Sequence, residues 1–259
     1  MSGPAQVRHA IILSAGHGTR LAPLTDALPK VMLPIGDRPL LEHLVDLVSR
    51  HGVEVVHLNL FHRGEVIERH FGNGSDFGVR VEYLHLDRLI QPLQTVARIG
   101  GCLDERFFVL FGDVASRVNL GEVLNLHERT GALATLVCRE TDHPDDSDLI
   151  VRDSENLVTQ LLPREPGRIA PGGALGNVGT YLIEPRALDL ARVGPDCDFF
   201  RDLFRPVLEG GGRLAAYFTR DFVMDIGTPE RYARALKNYP TALPSLRSAS
   251  PQSDRQRPA

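Results

Sequence analysis

A short apolar run, Ala10 to Leu13, opens directly into Ser14-Ala15-Gly16-His17-Gly18, and this juncture constrains the chain more than any other feature. Four apolar residues suit a buried strand. Small residues and glycines then let the backbone turn tightly and let N–H groups approach a ligand with no Cβ in the way. A polyanion is the natural guest of such a nest. Arg20 adds a planar fork suited to phosphate oxygens, and Lys30 a point charge on a flexible stem. Pro23 and Pro29 limit the conformations of the loop between them. The segment is not a Walker A loop, because it lacks the lysine-serine or lysine-threonine ending, nor the dinucleotide fingerprint, because it lacks the third glycine. A glycine pair after a strand also suits an ordinary turn into a helix, so the loop alone leaves both readings open.

Branched apolar runs recur at Val53 to Leu58, Val79 to Leu84, Phe107 to Phe111 and Ala132 to Val137, separated by helical spacing at Leu40 to Val48 and Leu120 to His127. Strands alternating with helices predict an α/β, Rossmann-like fold: a mixed, mainly parallel sheet with helices on both faces. Between Asp142 and Leu182 the pattern changes to short strand-like runs, Leu149 to Val151 and Val158 to Leu162, joined by turns rich in proline and glycine. This predicts a small inserted β-rich lid over residues 142–182 of a main domain spanning 1–240, enclosing a second substrate. A helix at Phe199 to Leu208, a strand at Leu214 to Phe218 and a helix at Pro229 to Asn238 complete the expected domain. Thr241 to Ala259 lacks apolar periodicity and is expected to be a disordered tail.

A chain of 259 residues with 42% hydrophobic and 24% charged residues can bury one substantial core. Its formal charge of −4 argues against nucleic-acid binding through bulk electrostatics, so any phosphate must be held by a few placed cations. The cysteines, Cys102, Cys138 and Cys197, are odd in number and widely spaced, which fits neither a disulfide framework nor a zinc site and points to the cytoplasm. No stretch approaches the roughly 20 apolar residues that span a bilayer, so no membrane association is expected.

Two aspartates stand where strands run out. Asp113 follows Phe107 to Phe111 as Gly112-Asp113, and a carboxylate at the C-terminal end of a parallel strand lies in the crevice where such sheets bind ligands. Asp225 lies in Val223-Met224-Asp225-Ile226-Gly227-Thr228-Pro229-Glu230, an apolar lead into a turn and a helix start. For an isolated aspartate, a helix cap or an Asx-turn is the competing explanation.

The whole run from Leu13 to Lys30, LSAGHGTRLAPLTDALPK, resembles the signature of the sugar-1-phosphate nucleotidylyltransferases, in which a G-x-G-T-R-L-x-P-L-T segment is followed four residues later by proline-lysine. That resemblance implies an enzyme in which a sugar 1-phosphate oxygen attacks the α-phosphorus of a nucleoside triphosphate and pyrophosphate leaves. Charge crowds at one phosphorus, so such a site needs cations and Mg2+ more than a strong base. The resemblance implies Arg20 and Lys30 as catalytic cations, with Asp113 (the G-D motif) and Asp225 (the D-I-G-T-P-E motif) as metal ligands. It implies a nucleotide site of Leu13, Ala15, Gly16, Gly18, Thr19, Gln94, Thr95 and Gly112. The sugar-phosphate site would comprise Asp148, Arg164, Asn177 and Gly179. Arg164 stands where relatives usually have lysine, which keeps the charge and changes the geometry.

His143 to Leu149 (HPDDSDL), Ala132 to Val137 (ALATLV) and Asp198 to Phe204 (DFFRDLF) resemble the heptose and mannose 1-phosphate guanylyltransferase-like branch, which implies GTP and one of those sugars. Asp148 would meet sugar hydroxyls there, or be a solvated member of an acidic loop. The segment Pro92 to Arg98 departs from the usual P-L-G-T-A-G-A: Gln94, Val96 and Arg98 are bulkier than their counterparts, and Gln94 is expected to meet a base edge. The departure keeps a non-catalytic nucleotide-sugar-binding relative, another base or a non-sugar phosphate acceptor open as alternatives. His17 is expected at the solvent or beside a phosphate, and the charges of Arg63 to Arg69 on the wet face of a helix. A homo-oligomer is compatible with the composition.

Overall fold

In the computed structural model, which describes residues 6–141 and 143–239, strand β1 (His9–Leu13) is followed by two short strands, β2 (Pro34–Ile35) and β3 (Arg38–Pro39), and helix α1 (Leu40–Arg50). Next come β4 (Val55–Leu60), α2 (Gly64–Phe71), β5 (Arg80–His85), α3 (Pro92–Gly100), β6 (Phe107–Phe111), β7 (Val114–Ser116), α4 (Leu120–Thr130) and β8 (Ala134–Arg139). Strands β9 (Leu149–Arg152), β10 (Val158–Leu162) and β11 (Leu175–Ile183) precede a π-helical turn, Phe200–Phe204, that runs into α5 (Arg205–Glu209). The described chain ends with β12 (Leu214–Phe218), β13 (Val223–Asp225) and α6 (Pro229–Asn238).

Nine strands form the main sheet, in the order β10-β9-β11-β6-β1-β4-β5, with β8 against β11 and β12 against β8. β1 pairs in parallel with both β4 and β6, β4 with β5, and β8 with β12, while the pairings made by β11 and the β9–β10 hairpin are antiparallel. Alternation along the strands feeds two cores. Ala10 and Ile12 of β1 pack with Leu40, Leu44 and Val48 of α1, whereas Ile11 packs with Leu93 and Val96 of α3 and with Phe200 and Phe204. The sheet is thus buried on both faces, which is why its central strands read as continuous apolar runs.

The strands of the segment expected as a β-rich lid, β9 to β11, are hydrogen-bonded into the main sheet. Leu175 and Gly176 pair with Ile150 and Leu149 of β9, but farther along the same strand Thr180 to Ile183 pair with Leu110 to Phe107 of β6. Between those stretches β11 changes neighbour on that side, and its register with β8 slips between Asn177 and Tyr181. Gly179 sits in the slip at φ +71°, the left-handed region, where a Cβ would come 2.9 Å from the Phe111 ring. A gap therefore opens in the sheet beside Asn177 and Gly179. The expectation for Thr241 to Ala259 lies outside the described residues.

Candidate active site

Asp113 and Asp225 come from distant parts of the chain and are joined by backbone pairing. β7 and β13 run antiparallel with Val114 opposite Asp225, and Ile226 N donates to the Asp113 carbonyl at 3.0 Å. Gly112, just before, donates its N–H to Leu13 O at 2.9 Å, and a Cβ there would lie 2.5 Å from that same oxygen. The end of β6 is thereby pinned to the end of β1, where the glycine loop begins.

Lys30 sits on a short 3-10 turn, Lys30–Met32, entered through Pro29. It is only 7% exposed, and its Nζ donates to Asp113 Oδ2 at 2.5 Å. Gly18, at φ +67°, packs where a Cβ would come 2.9 Å from both Lys30 Cβ and Thr25 Cγ2, so the loop lies directly on the lysine. Thr25 Oγ1 donates to Gly18 O at 3.0 Å and closes the loop from the other side. Ala15 is buried, while Gly16, His17, Thr19 and Arg20 are exposed. Arg20 reaches toward the second aspartate: a Cβ on Gly227 would be 3.1 Å from Arg20 Nη2 and 2.6 Å from Asp225 Oδ1.

The gap in the sheet is the floor of a cleft of about 640 Å3 whose walls include Asp113, Asp148, Arg164, Asn177, Gly179 and Asp225. Asn177 Nδ2 donates to the Tyr181 hydroxyl at 2.8 Å, and its Oδ1 accepts from Gly179 N at 3.3 Å, so the amide is fixed rather than free to rotate. Asp148 Oδ1 accepts from Arg164 N at 2.7 Å, and Asn177 N donates to the Asp148 carbonyl at 2.9 Å. Burial raises the Asp148 carboxyl above the ordinary range, against the opposing effect of the Arg164 N–H, and Asp198 adds to the rise. Arg139, Arg231 and Arg234 contribute further positive charge to the walls.

Two expected nucleotide contacts turn away. Gln94 Oε1 accepts from Gln91 N at 2.9 Å and so caps its own helix, because the proline at the first position of α3 leaves the N-terminal turn to be closed by side chains. Thr95 is fully buried, with its Oγ1 3.4 Å from Asn59 Nδ2. Gln91, Pro92 and Leu93 line the cleft in their place. Sequence reasoning passed over Asn59, whose Oδ1 accepts from Ser14 N at 2.7 Å and whose carbonyl accepts from Ser14 Oγ at 2.6 Å. A buried amide at the end of the apolar run VVHLNL was the available signal. It also passed over Arg231, a cation in the first turn of the helix that follows Asp225.

Asp113 just past β6, Asp225 at the end of β13 and the glycine loop after β1 meet at one end of a mainly parallel sheet, which defines an α/β protein with its crevice at the C-terminal ends of the strands. The chain belongs to the nucleotidyl transferase family, whose model it matches over residues 9–242. It is similar to a mannose-1-phosphate guanylyltransferase of Mycobacterium tuberculosis, with 30% identity over 87% of this chain and 62% of that one. It is also similar to a UTP–glucose-1-phosphate uridylyltransferase of Synechocystis, with 29% identity over 88% of this chain and 62% of that one. The chain thus spans 62% of the length of both curated relatives. Its fold matches that of UDP-glucose pyrophosphorylase from Acinetobacter baumanii, with a TM-score of 0.80, 20% identity and coverage of 93% and 96% of the two chains.

Proposed function

We propose that this protein transfers a nucleoside monophosphate from a nucleoside triphosphate to a sugar 1-phosphate, with GTP and a heptose or mannose 1-phosphate as the favoured pair. The observation that carries this reading is the β7–β13 pairing, which sets Asp113 beside Asp225 with Lys30 on the first and Arg20 near the second. In the proposed reaction an acceptor phosphate oxygen bonds to the α-phosphorus as the bond to the bridging oxygen breaks, releasing pyrophosphate. A phosphate nucleophile is already ionised near neutral pH, so the site needs neutralising charge more than a base.

Asp113 and Asp225 are oxygen donors, and among the described residues no group of three or more His, Cys, Asp or Glu gathers to hold a metal. Two carboxylates fit Mg2+, which draws the rest of its octahedron from phosphates and water, better than a metal needing a full protein cage. When bound, Mg2+ would neutralise charge on the phosphates. Lys30 holds the inner carboxylate in place, Arg20 offers its fork to the triphosphate, and the glycine loop presents N–H groups. Asn177 and Asp148 would orient sugar hydroxyls, with Arg164 on the acceptor phosphate. The segment 142–182 serves as the sugar side of a domain spanning 1–240.

The relatives support the reaction class, and the guanylyltransferases among them favour the GTP and mannose pairing. Free cysteines, with the Cys138 thiol pushed up to about 12 by burial, fit a reducing compartment, and we assign the protein to the cytoplasm. One observation favours a non-catalytic nucleotide-sugar-binding relative: Gln94 is spent on a helix cap, so the altered segment offers no evident base reader. Pyrophosphate release measured across four triphosphates with heptose and mannose 1-phosphates tests the assignment. Turnover highest with GTP and one of these sugars is expected; no turnover in any pairing would establish the non-catalytic relative instead.

A further inference from the structure

On the cleft rim, Asp146 ties Arg164 to a second arginine, Arg231. Asp146 splits its two oxygens between two arginines: Oδ1 lies 3.5 Å from Arg164 Nη1 and Oδ2 lies 3.1 Å from Arg231 Nη2. The other arm of Arg231 reaches Asp225, with Nη1 3.6 Å from Oδ1. Arg231 is set by the first turn of α6, where Thr228 Oγ1 accepts its backbone N–H at 3.3 Å. Both arginines line the cleft. All three side chains are at least a third exposed, so these pairs are weak and exchange readily.

Two guanidinium groups from different segments of the chain converging on one small anion is the geometry of a phosphate clamp. Arg139, by contrast, is committed to backbone, donating from Nη1 to Val223 O at 2.6 Å and from Nε to Glu140 O at 3.2 Å. We propose that Arg231 is a phosphate-binding residue of the acceptor site, paired with Arg164, and that Asp146 occupies the pair in the free protein as an internal stand-in for the phosphate. This deepens the transferase reading and rests on it for the identity of the ligand. A phosphate dianion carries more charge than Asp146 and presents more oxygens, so it displaces the carboxylate. Release of Asp146 frees segment 143–149 from α6, and acceptor binding is therefore coupled to the position of the sugar-side loop. Because Arg231 also touches Asp225, a phosphate held by Arg231 lies near the carboxylate proposed to hold Mg2+.

The test is calorimetric titration of inorganic phosphate into the full-length protein at low ionic strength, with circular dichroism as a check on folding. Arg231→Gln is expected to weaken phosphate binding about tenfold, the effect of one charge-assisted hydrogen bond, and Arg231→Lys to recover part of that loss. Asp146→Asn removes the competitor and is expected to tighten binding severalfold. The KM for mannose 1-phosphate should follow the same order, with the KM for triphosphate unmoved. No measurable binding to the wild type, an Arg231→Gln affinity within about twofold of wild type, or weaker binding in Asp146→Asn would each overturn the clamp. Failure of the transferase reading is distinct: phosphate binding would depend on Arg231 and Asp146 as stated, while no triphosphate and acceptor pairing released pyrophosphate.

Discussion

The Lys30 ammonium lies 2.5 Å from Asp113 Oδ2 and is almost wholly buried, while the carboxylate keeps a third of its surface toward the cleft. A buried ammonium needs a partner more than a partly exposed carboxylate does, so the two ends of this pair should not cost the same when removed. Asp113→Asn strands the ammonium and is expected to lower stability by about 1–3 kcal/mol. Lys30→Met, which removes the buried charge, is expected to cost less, and the double variant less than the sum. Urea denaturation of the four proteins measures the coupling; additive effects would mean that the pair is not formed in solution.

Gln94 separates two roles that the sequence leaves together. As a cap accepting from Gln91 N, its loss should cost about 0.5–1 kcal/mol of stability and leave preference among triphosphates unaltered. A Gln94→Ala variant with wild-type stability and altered base preference would return the residue to the base site.

Asp148 is held at a cost. Burial raises its carboxyl, so the folded state disfavours the ionised form, and above the folded value that penalty is fully present at neutral pH. Asp148→Asn keeps an acceptor for Arg164 N and removes the charge. It is expected to raise Tm by roughly 2 °C or more while raising the KM for the acceptor sugar. A lowered Tm with unchanged KM would show a purely structural carboxylate.

Acid should destabilise the fold as its buried histidines become charged. Burial is the main cause lowering His57 to about 4, with Glu82 opposing it, and burial also lowers His43 and His127. Their unfolded values lie near the ordinary 6.5, so between about 6.5 and about 4 the unfolded chain binds more protons than the folded one. Stability is fully present above that window and falls as pH drops through it, by on the order of 2–3 kcal/mol for His57. Denaturation measured across the window should show the loss, and His57→Gln should flatten it; an unchanged slope in that variant would contradict the assignment.

The strands and helices were legible where burial on both faces wrote long apolar runs, as in Phe107 to Phe111, whose predicted and observed limits coincide. Helix α3 was not, because Pro92 to Arg98 resembles a ligand-binding segment, and its helix is fixed by a side-chain cap and by packing of Leu93 and Val96. Asp113 and Asp225 could be picked out one by one, since each ends an apolar run before a turn. Their nearness depends on β7 and β13, three residues each, too short for periodicity to reveal. Likewise the gap beside Gly179 arises from a register slip between strands, a tertiary event that leaves only a glycine in the sequence.

Pyrophosphate release by the wild type and by Asp113→Asn, each with and without Mg2+, tests the central claim most directly. Mg2+-dependent turnover is expected in the wild type and a loss of about a hundredfold or more in the variant, with its fold retained. Turnover by Asp113→Asn at the wild-type rate, with the same dependence on Mg2+, would contradict it.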